Sequence, residues 1–177
     1  MNEKLNKIIV DNFGELYAQK YTSEQITSKK IFDPLIGKAI EKKKGIRFHG
    51  VIGSGKTMLL VRCVEKLYEK LGIEFSNYVQ IYHEQEIYEL LRNKKNPAYR
   101  RIMIIDDFGS VKIPEWLLSD YEHVYFCIHS RNLILYLSTN LTEGIIQQTY
   151  PRTYSRLKEI TDGYIVPGKD RRRKETE

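Results

Sequence analysis

Eight consecutive residues, Gly50 to Thr57, match the pattern G-x-x-x-x-G-K-[ST] in full. Glycines in this pattern let backbone N–H groups close around phosphate oxygens, which a Cβ atom would obstruct. The lysine is expected to reach the β- and γ-phosphates, and the threonine hydroxyl to contact Mg²⁺. The motif therefore predicts a site for ATP and Mg²⁺. Its predicted nucleotide contacts are Gly50, Gly53, Ser54, Gly55, Lys56, Thr57 and Met58.

Two acidic residues, Asp106 and Asp107, end the most strand-like segment of the chain, which fits a Walker B strand. Ligands of parallel sheets bind beyond the carboxyl ends of the strands. We therefore expect Asp106 to hold Mg²⁺, directly or through water, together with Thr57. Asp107 is expected to orient and polarise the attacking water. The alternative is that both acids only cap a turn before Gly109.

A second strand followed by polar residues, Leu133–Ser138, leads into Asn140, which is predicted to contact the γ-phosphate or the attacking water. A capping role at a strand–helix turn is equally compatible with the spacing. Arg152 and Arg156 lie four residues apart and share a face of a predicted helix. Arginine can stabilise a transferring phosphoryl group in cis or from a neighbouring subunit. The alternative is a pair of ordinary surface arginines.

Strands that alternate with helices must position these residues, and this order predicts a parallel sheet covered on both faces. The domain prediction is an N-terminal helical segment over 1–44, an ATPase core over 45–168 and a basic tail over 169–177. The apolar spacing also predicts that Trp116 faces inward on a long helix that starts near Pro114. The predicted strands are 45–49, 76–82, 101–106, 133–138 and 164–166. The predicted helices are 34–44, 58–71, 84–92 and 153–160, with further helix before 34 and a short one capped by Thr142.

Composition and charge fit one soluble domain of 177 residues, 41% hydrophobic and 29% charged. No apolar run is long enough for a membrane span, and the N-terminus lacks a signal-peptide core. Cys63 and Cys127 lack metal-ligand spacing, which favours reduced cysteines in the cytoplasm. The net charge of +6, partly in the tail, favours a polyanionic partner over a merely solvated tail. The four histidines show no ligand spacing, and none is assigned to catalysis.

Together these motifs resemble those of the AAA+ helicase-loader group, the DnaC/DnaI/IstB-like ATPases, with the DnaI-like branch the most similar. The resemblance covers about residues 30–172, although its P-loop part is common to many NTPases. Four segments carry the rest: the Walker B strand Ile104–Gly109, the sensor 1 segment Ser138–Leu141, the box VII stretch Arg152–Leu157 and the closing Gly168–Arg172.

The resemblance implies an α/β P-loop fold, a five-stranded parallel sheet of order 5-1-4-3-2 without a C-terminal helical lid. It implies a protein that hydrolyses ATP, self-associates through its ATP interfaces, binds single-stranded DNA and delivers a hexameric replicative helicase. Arg156, rather than Arg152, would be the arginine finger, and Asn140 the sensor. Many AAA+ proteins have Glu where this chain has Asp107, which predicts slow hydrolysis and ATP used as a switch. The adenine is expected near Tyr21–Ile31.

Several alternatives stay open. An IstB-type transposition helper would share the fold, the ATP site and DNA binding, and would differ in its partner. A scaffold that binds ATP without hydrolysis is also compatible with the motifs. A small P-loop kinase is disfavoured because no Arg-rich lid is inserted, and a GTPase because no Asn-Lys-x-Asp stretch exists. Residues 1–44 are too few for a loader's separate N-terminal domain, which indicates an excised ATPase domain or a minimal loader.

Overall fold

The computed structural model describes residues 3–22 and 29–168, so the tail 169–177 with Arg171 and Arg172 lies outside the described residues. The helices are α1 Glu3–Phe13, α2 Glu15–Thr22, α3 Lys29–Lys42, α4 Lys56–Leu71, α5 Phe75–Tyr78, α6 Glu84–Arg92, α7 Glu115–Ser130, α8 Glu143–Thr149 and α9 Pro151–Ile160. The strands are β1 Gly45–His49, β2 Val79–His83, β3 Ile102–Phe108, β4 Ile134–Thr139 and β5 Thr161–Ile165.

The five strands form one parallel sheet of order β2-β3-β4-β1-β5. Read from its other edge, this is the predicted order 5-1-4-3-2, so the predicted fold class is confirmed. Within the described ranges, none of the helices combines the length and the apolar character needed to cross a membrane.

Alternate residues of the central strands face two separate cores, as the two-residue period of a strand requires. On β3, Ile104 packs into a core shared with α1, α3 and α4. Its neighbours Met103 and Ile105 pack into a second core formed with α6, α7 and α9. Both faces of the sheet are therefore buried, which explains why β3 and β4 read as continuous apolar runs.

Three sequence predictions need correction. Strand β2 begins at Val79 rather than at 76, because the residues before it form the short helix α5. In that helix, Phe75 buries its ring against Tyr68 of α4. Strand β5 begins at Thr161, directly after α9, rather than at 164. The prediction for Trp116 is wrong, since the side chain is 68% exposed. The inward face of α7 is already complete without it, formed by Leu117, Tyr121, Val124, Tyr125 and Ile128.

The N-terminal helices pack against helix α4. Helix α1 buries Leu5, Ile9 and Phe13, and it packs against α4. Gly14 has a φ of 87° and separates α1 from α2, a left-handed conformation that favours glycine. Helix α4 in turn packs against β1, β3 and β4, so it holds its first turn above the carboxyl ends of the central strands.

Candidate nucleotide-binding site

The loop between β1 and α4 is the turn that the motif predicts. Gly53 and Gly55 have φ values of 78° and 101°, a left-handed region that glycine occupies without strain. A Cβ atom on Gly50 would lie 2.8 Å from the Val166 carbonyl oxygen, so no larger residue fits there. Helix α4 starts at Lys56, and its unpaired N–H groups and dipole favour an anion at this loop.

Lys56 lies inside this loop and is only 5% exposed. Its Nζ atom donates hydrogen bonds to the carbonyl oxygens of Gly50 at 2.9 Å and Val51 at 2.8 Å. The ammonium is thus held at the place where the motif predicts phosphate oxygens. Of the predicted adenine region, residues 23–28 lie outside the described residues.

A cluster of three oxygen-bearing side chains lies beside the first turn of α4. The Thr57 hydroxyl donates to Asp106 Oδ1 at 3.2 Å, and the Ser138 hydroxyl donates to the same oxygen. Asp106 is 1% exposed. Burial raises the pKa of its carboxyl group, an effect opposed by the hydrogen bond from Ser138. Thr57, Asp106 and Ser138 are called the carboxylate cluster below.

The donor set of the carboxylate cluster fits the cation that the motif implies. Mg²⁺ prefers oxygen ligands and is commonly held by one or two carboxylates plus substrate phosphates. Thr57 and Asp106 supply a hydroxyl and a carboxylate within hydrogen-bond distance of one another. These two residues are the ones that would hold Mg²⁺, and their role as its ligands stays a prediction.

His83 is a neighbour of Asp106 that the sequence prediction missed. It pairs in register with Asp106, and its Nδ1 atom lies 3.7 Å from Asp106 Oδ2. Its Nε2 atom donates to the carbonyl oxygen of Asn12 at 2.9 Å, which ties the end of α1 to the site. The predicted strand stopped one residue short of His83. The position of His83 at the carboxyl end of a predicted strand is the sequence feature that could have indicated its closeness to Asp106.

Asp107 adopts an unusual backbone conformation with a φ of 59°, at an irregularity in the β3–β4 pairing. Its backbone N–H donates to Ser138 Oγ at 3.0 Å, so the turn is fixed to the carboxylate cluster. Suitable oxygen and nitrogen atoms of His83, Asp106 and Asp107 lie within 4.8 Å of one another. The structure thus brings Asp107 to the predicted place beside Asp106.

Asn140 is exposed and directly follows β4, whose last residue Thr139 pairs with Phe108 of β3. The Thr139 hydroxyl donates to the Phe108 carbonyl oxygen at 2.7 Å and accepts from the Leu141 N–H at 3.0 Å. These bonds fix the start of the loop that carries Asn140. The geometry places the side chain at the same edge of the sheet as Asp106, while its contact with a phosphate or water stays a prediction.

Glu84 is a second residue that the sequence prediction missed. It is fully buried, and burial raises the pKa of its carboxyl group. It accepts hydrogen bonds from the Tyr121 hydroxyl and, at 3.2 Å, from the Val111 N–H. Glu84 therefore holds the loop that follows Asp107. It sits at the start of α6, where an acid looks like an ordinary helix N-terminal residue.

The two candidate arginines of α9 differ in their surroundings. The Arg152 side chain is 78% exposed, and its Nη1 atom lies 3.6 Å from Glu122 Oε2. The Arg156 guanidinium lies over the ring of Phe126, 5.2 Å from the ring centre. Its Nη1 atom is buried and has no hydrogen-bond partner among the described residues. Neither arginine lies among the residues of the carboxylate cluster.

Comparisons with known proteins agree on the fold. No protein-family model matches the chain, and a search of curated proteins also finds no match. The crystal structure of DnaI gives a TM-score of 0.65 at 14% identity, covering 85% of this chain and 88% of that chain. The DnaC helicase loader gives a TM-score of 0.65 at 17% identity, covering 86% of this chain and 99% of that chain.

A third similar structure is AMPPCP-bound DnaA from Aquifex aeolicus. Its TM-score is 0.59 at 17% identity, and the match covers 82% of this chain and 49% of that chain. At these identities the likeness shows the fold. The chain has the AAA+ P-loop NTPase fold of DnaI and DnaC, and the resemblance inferred from its motifs is confirmed at that level.

Proposed function

We propose that this chain is an ATP-binding and ATP-hydrolysing AAA+ protein that loads a hexameric replicative DNA helicase in the cytoplasm. The observation that carries the proposal is the contact between Thr57 and Asp106 beneath a complete P-loop. A fold shared with DnaI and with the DnaC helicase loader supports the choice of function.

The residues of the loop would bind the triphosphate in the order that the motif sets. Backbone N–H groups of Gly53–Lys56 and the start of α4 offer donors to phosphate oxygens. The Lys56 ammonium, held by the loop carbonyls, adds a positive charge beside them. Mg²⁺ bound at Thr57 and Asp106 would neutralise charge on the β- and γ-phosphates.

Hydrolysis requires a water aligned with the γ-phosphate. Asp107, fixed through its backbone N–H to Ser138, is the residue proposed to orient and polarise that water. Asn140, at the end of the adjacent strand, is proposed to contact the γ-phosphate or the same water. The shorter side chain of Asp compared with Glu supports slow turnover and a switch-like use of ATP.

We propose Arg156 as the arginine finger that acts on the ATP of a neighbouring copy, with Arg152 as the alternative. The support is the Nη1 atom of Arg156, a buried donor that is not used by the described residues of its own chain. A phosphate oxygen at a subunit interface would give this donor an acceptor once the guanidinium moves off the ring of Phe126. Side-by-side assembly would then control hydrolysis.

The proposed partners are a hexameric replicative helicase, single-stranded DNA and further copies of the chain. The net charge of +6 supports binding to a polyanion, with an affinity that falls as salt rises. An IstB-type helper function shares all of these properties except the helicase. The partner therefore has to be tested directly.

The test measures ATPase turnover of the wild type, Arg156→Ala and Arg152→Ala, each alone, with single-stranded DNA and with a replicative helicase. We expect slow turnover alone and stimulation by the partners. Arg156→Ala should lose about 10³-fold of the stimulated rate, the scale of an arginine finger, while nucleotide affinity persists.

Arg152→Ala is the matched control on the same helix and should keep most of the stimulated rate. If only Arg152→Ala loses the stimulated ATPase rate, Arg152 is the arginine finger. If ATPase turnover is the same in both arginine variants as in the wild type, and the same with and without both partners, the loader proposal is contradicted. Stimulation by DNA but not by any helicase would favour the transposition helper.

A further inference from the structure

Arg47 lies in the middle of β1 and is only 2% exposed. All three of its nitrogen positions donate hydrogen bonds, each 2.7 Å long. Nε donates to His49 Nε2, one terminal nitrogen to Thr161 Oγ1 and the other to Glu143 Oε1. Arg47, His49, Glu143 and Thr161 are called the arginine cluster below. It joins β1 and β5 to the first turn of α8.

The cluster also fixes which nitrogen of His49 carries a proton. Because arginine can only donate, His49 Nε2 must accept, and its proton resides on Nδ1. Nδ1 then donates to the carbonyl oxygen of Leu141 at 3.2 Å. His49 is therefore neutral, in agreement with a pKa lowered mainly by burial. Its bond holds the residue that directly follows Asn140.

Two further bonds connect the arginine cluster to α9. The second carboxylate oxygen of Glu143 accepts from the Tyr154 hydroxyl at 3.2 Å. The Thr161 hydroxyl donates to the Leu157 carbonyl oxygen at 2.6 Å. Tyr154 and Leu157 flank Arg156 in sequence. The helix that carries the candidate arginine finger is thus attached at two points to the partners of Arg47.

The loop that carries Asn140 is also confined on the opposite side. The Leu141 side chain covers Gly109, where an added Cβ atom would lie 2.2 Å from Leu141 Cδ1. Gly109 follows Asp107 by two residues. The loop is therefore held between the turn after the Walker B strand and the arginine cluster, and a shift on either side would move Asn140.

We propose that Arg47 is a positioning residue that fixes the Asn140 loop relative to α9. A displacement of α9 at a subunit contact would then reach Asn140 of the same chain through Glu143 and Leu141. This inference rests on the proposed ATPase function, but the physical link can be measured without hydrolysis. No contact of Arg47 with nucleotide is involved.

The first experiment compares hydrogen exchange of the backbone amides of residues 141–146 in the wild type, Arg47→Met and Tyr154→Phe, all without nucleotide. We expect about tenfold faster exchange in Arg47→Met and about threefold in Tyr154→Phe, as lost bonds raise local opening. Residues 53–57 should exchange at the wild-type rate. Tyr78→Phe, which removes the hydroxyl of an exposed tyrosine, is the matched control and should change nothing. Unchanged exchange at 141–146 would overturn the inference.

The second experiment measures kcat, KM and binding of a fluorescent ATP analogue for the same variants with partners present. We expect kcat to fall about tenfold in Arg47→Met and about threefold in Tyr154→Phe, with KM and nucleotide affinity within about twofold, since misplacement chiefly affects the transition state. The double variant should be no slower than Arg47→Met alone, because both act through Glu143.

A purely structural role would lower nucleotide affinity and kcat together, or give additive effects, and either result would overturn the inference. If Arg47→Met does not fold, Tyr154→Phe decides alone. A wild type without ATPase activity under any condition would contradict the proposed function, whereas the exchange experiment would still test the link made by Arg47.

Discussion

Two polar clusters are centred on the strands on either side of β4. One contains a buried carboxylate, and the other contains a buried guanidinium. In the carboxylate cluster, Asp106 accepts hydrogen bonds from the hydroxyl groups of Thr57 and Ser138, and His83 lies 3.7 Å away. In the arginine cluster, the guanidinium of Arg47 already has a carboxylate, Glu143, as its partner.

The difference separates a site prepared for a ligand from one that is complete within the chain. Burying a carboxylate is costly, and the pKa of Asp106 is raised because burial disfavours its charged form. A bound cation would relieve it. In the arginine cluster, each of the three guanidinium nitrogens already donates to an acceptor within the chain. It contributes position rather than chemistry.

The largest expected effect comes from Asp106→Asn. Turnover should fall about 100-fold or more, because charge stabilisation by a bound cation is worth several kcal/mol. The same change should raise the free energy of unfolding of the nucleotide-free protein at neutral pH, since the amide carries no charge to bury. Thermal denaturation and ATPase assays measure the two effects, with Asp162→Asn, an exposed acid, as the control.

The pH dependence follows from the same pKa. The folded state binds the Asp106 proton more tightly than the unfolded state, so stability falls as pH rises from the unfolded pKa through the raised folded pKa. Asp106→Asn should flatten this part of the stability curve. If Asp106→Asn is less stable than the wild type at neutral pH, burial of the charged carboxylate does not carry the expected cost.

A second prediction targets the packing of Leu141, in the loop that carries Asn140, against Gly109 in the turn after Asp107. Gly109→Ala should cost about 2–3 kcal/mol of unfolding free energy, because a φ of 79° strains alanine and the new methyl group must displace Leu141. Gly37→Ala, in helix α3 with no neighbour within 4 Å, is the matched control. It should stabilise by about 0.5–1 kcal/mol. Denaturant unfolding measures both, and equal effects would refute the tight packing at Gly109.

The smallest expected effect comes from Glu143→Gln, which leaves Arg47 buried without its anionic partner. We expect a loss of about 1–2 kcal/mol, less than for a fully buried pair because Glu143 is 49% exposed. Glu159→Gln, which breaks a surface pair with His129, should cost below about 0.5 kcal/mol. Urea unfolding of the two variants gives the comparison, and equal losses would count against the special position of Arg47.

The contribution of the Arg47–Glu143 pair to the free energy of unfolding changes with pH in the opposite direction to that of Asp106. Hydrogen bonding from Arg47 lowers the pKa of the Glu143 carboxyl group. The stabilisation is therefore present above the unfolded pKa and is lost as pH falls through the lowered folded pKa. The difference between wild type and Glu143→Gln should accordingly vanish in acid.

The carboxylate cluster could be predicted from the sequence because its charged and loop residues belong to local motifs. The P-loop and the acid at the end of β3 each fall within a few consecutive residues. The alternation of strands and helices predicted a parallel sheet, and the family resemblance implied its strand order. His83 was missed because the predicted strand ended one residue early. The arginine cluster could not be found, since Arg47 meets Glu143 and Thr161 across 96 and 114 positions.

The roles of Asn140 and Arg156 remain predictions for a related reason. Each depends on an atom that belongs to nucleotide or to a second copy of the chain. Periodicity placed both on the correct elements, after β4 and on α9. It contained no information on the exposure of Trp116, because an apolar residue in the first turn of a helix fits the pattern whether or not the sheet covers it.

The left-handed backbone at Asp107 restricts which amino acids fit there without strain. Asp and Asn tolerate a φ near 59° better than most residues, and Gly tolerates it best. A library randomised at this position and selected for folding alone would therefore become enriched in Gly, Asn and Asp. Glu would be depleted despite its longer reach toward a water. Of the residues favoured by this turn, Asp is the one whose side chain carries a carboxylate.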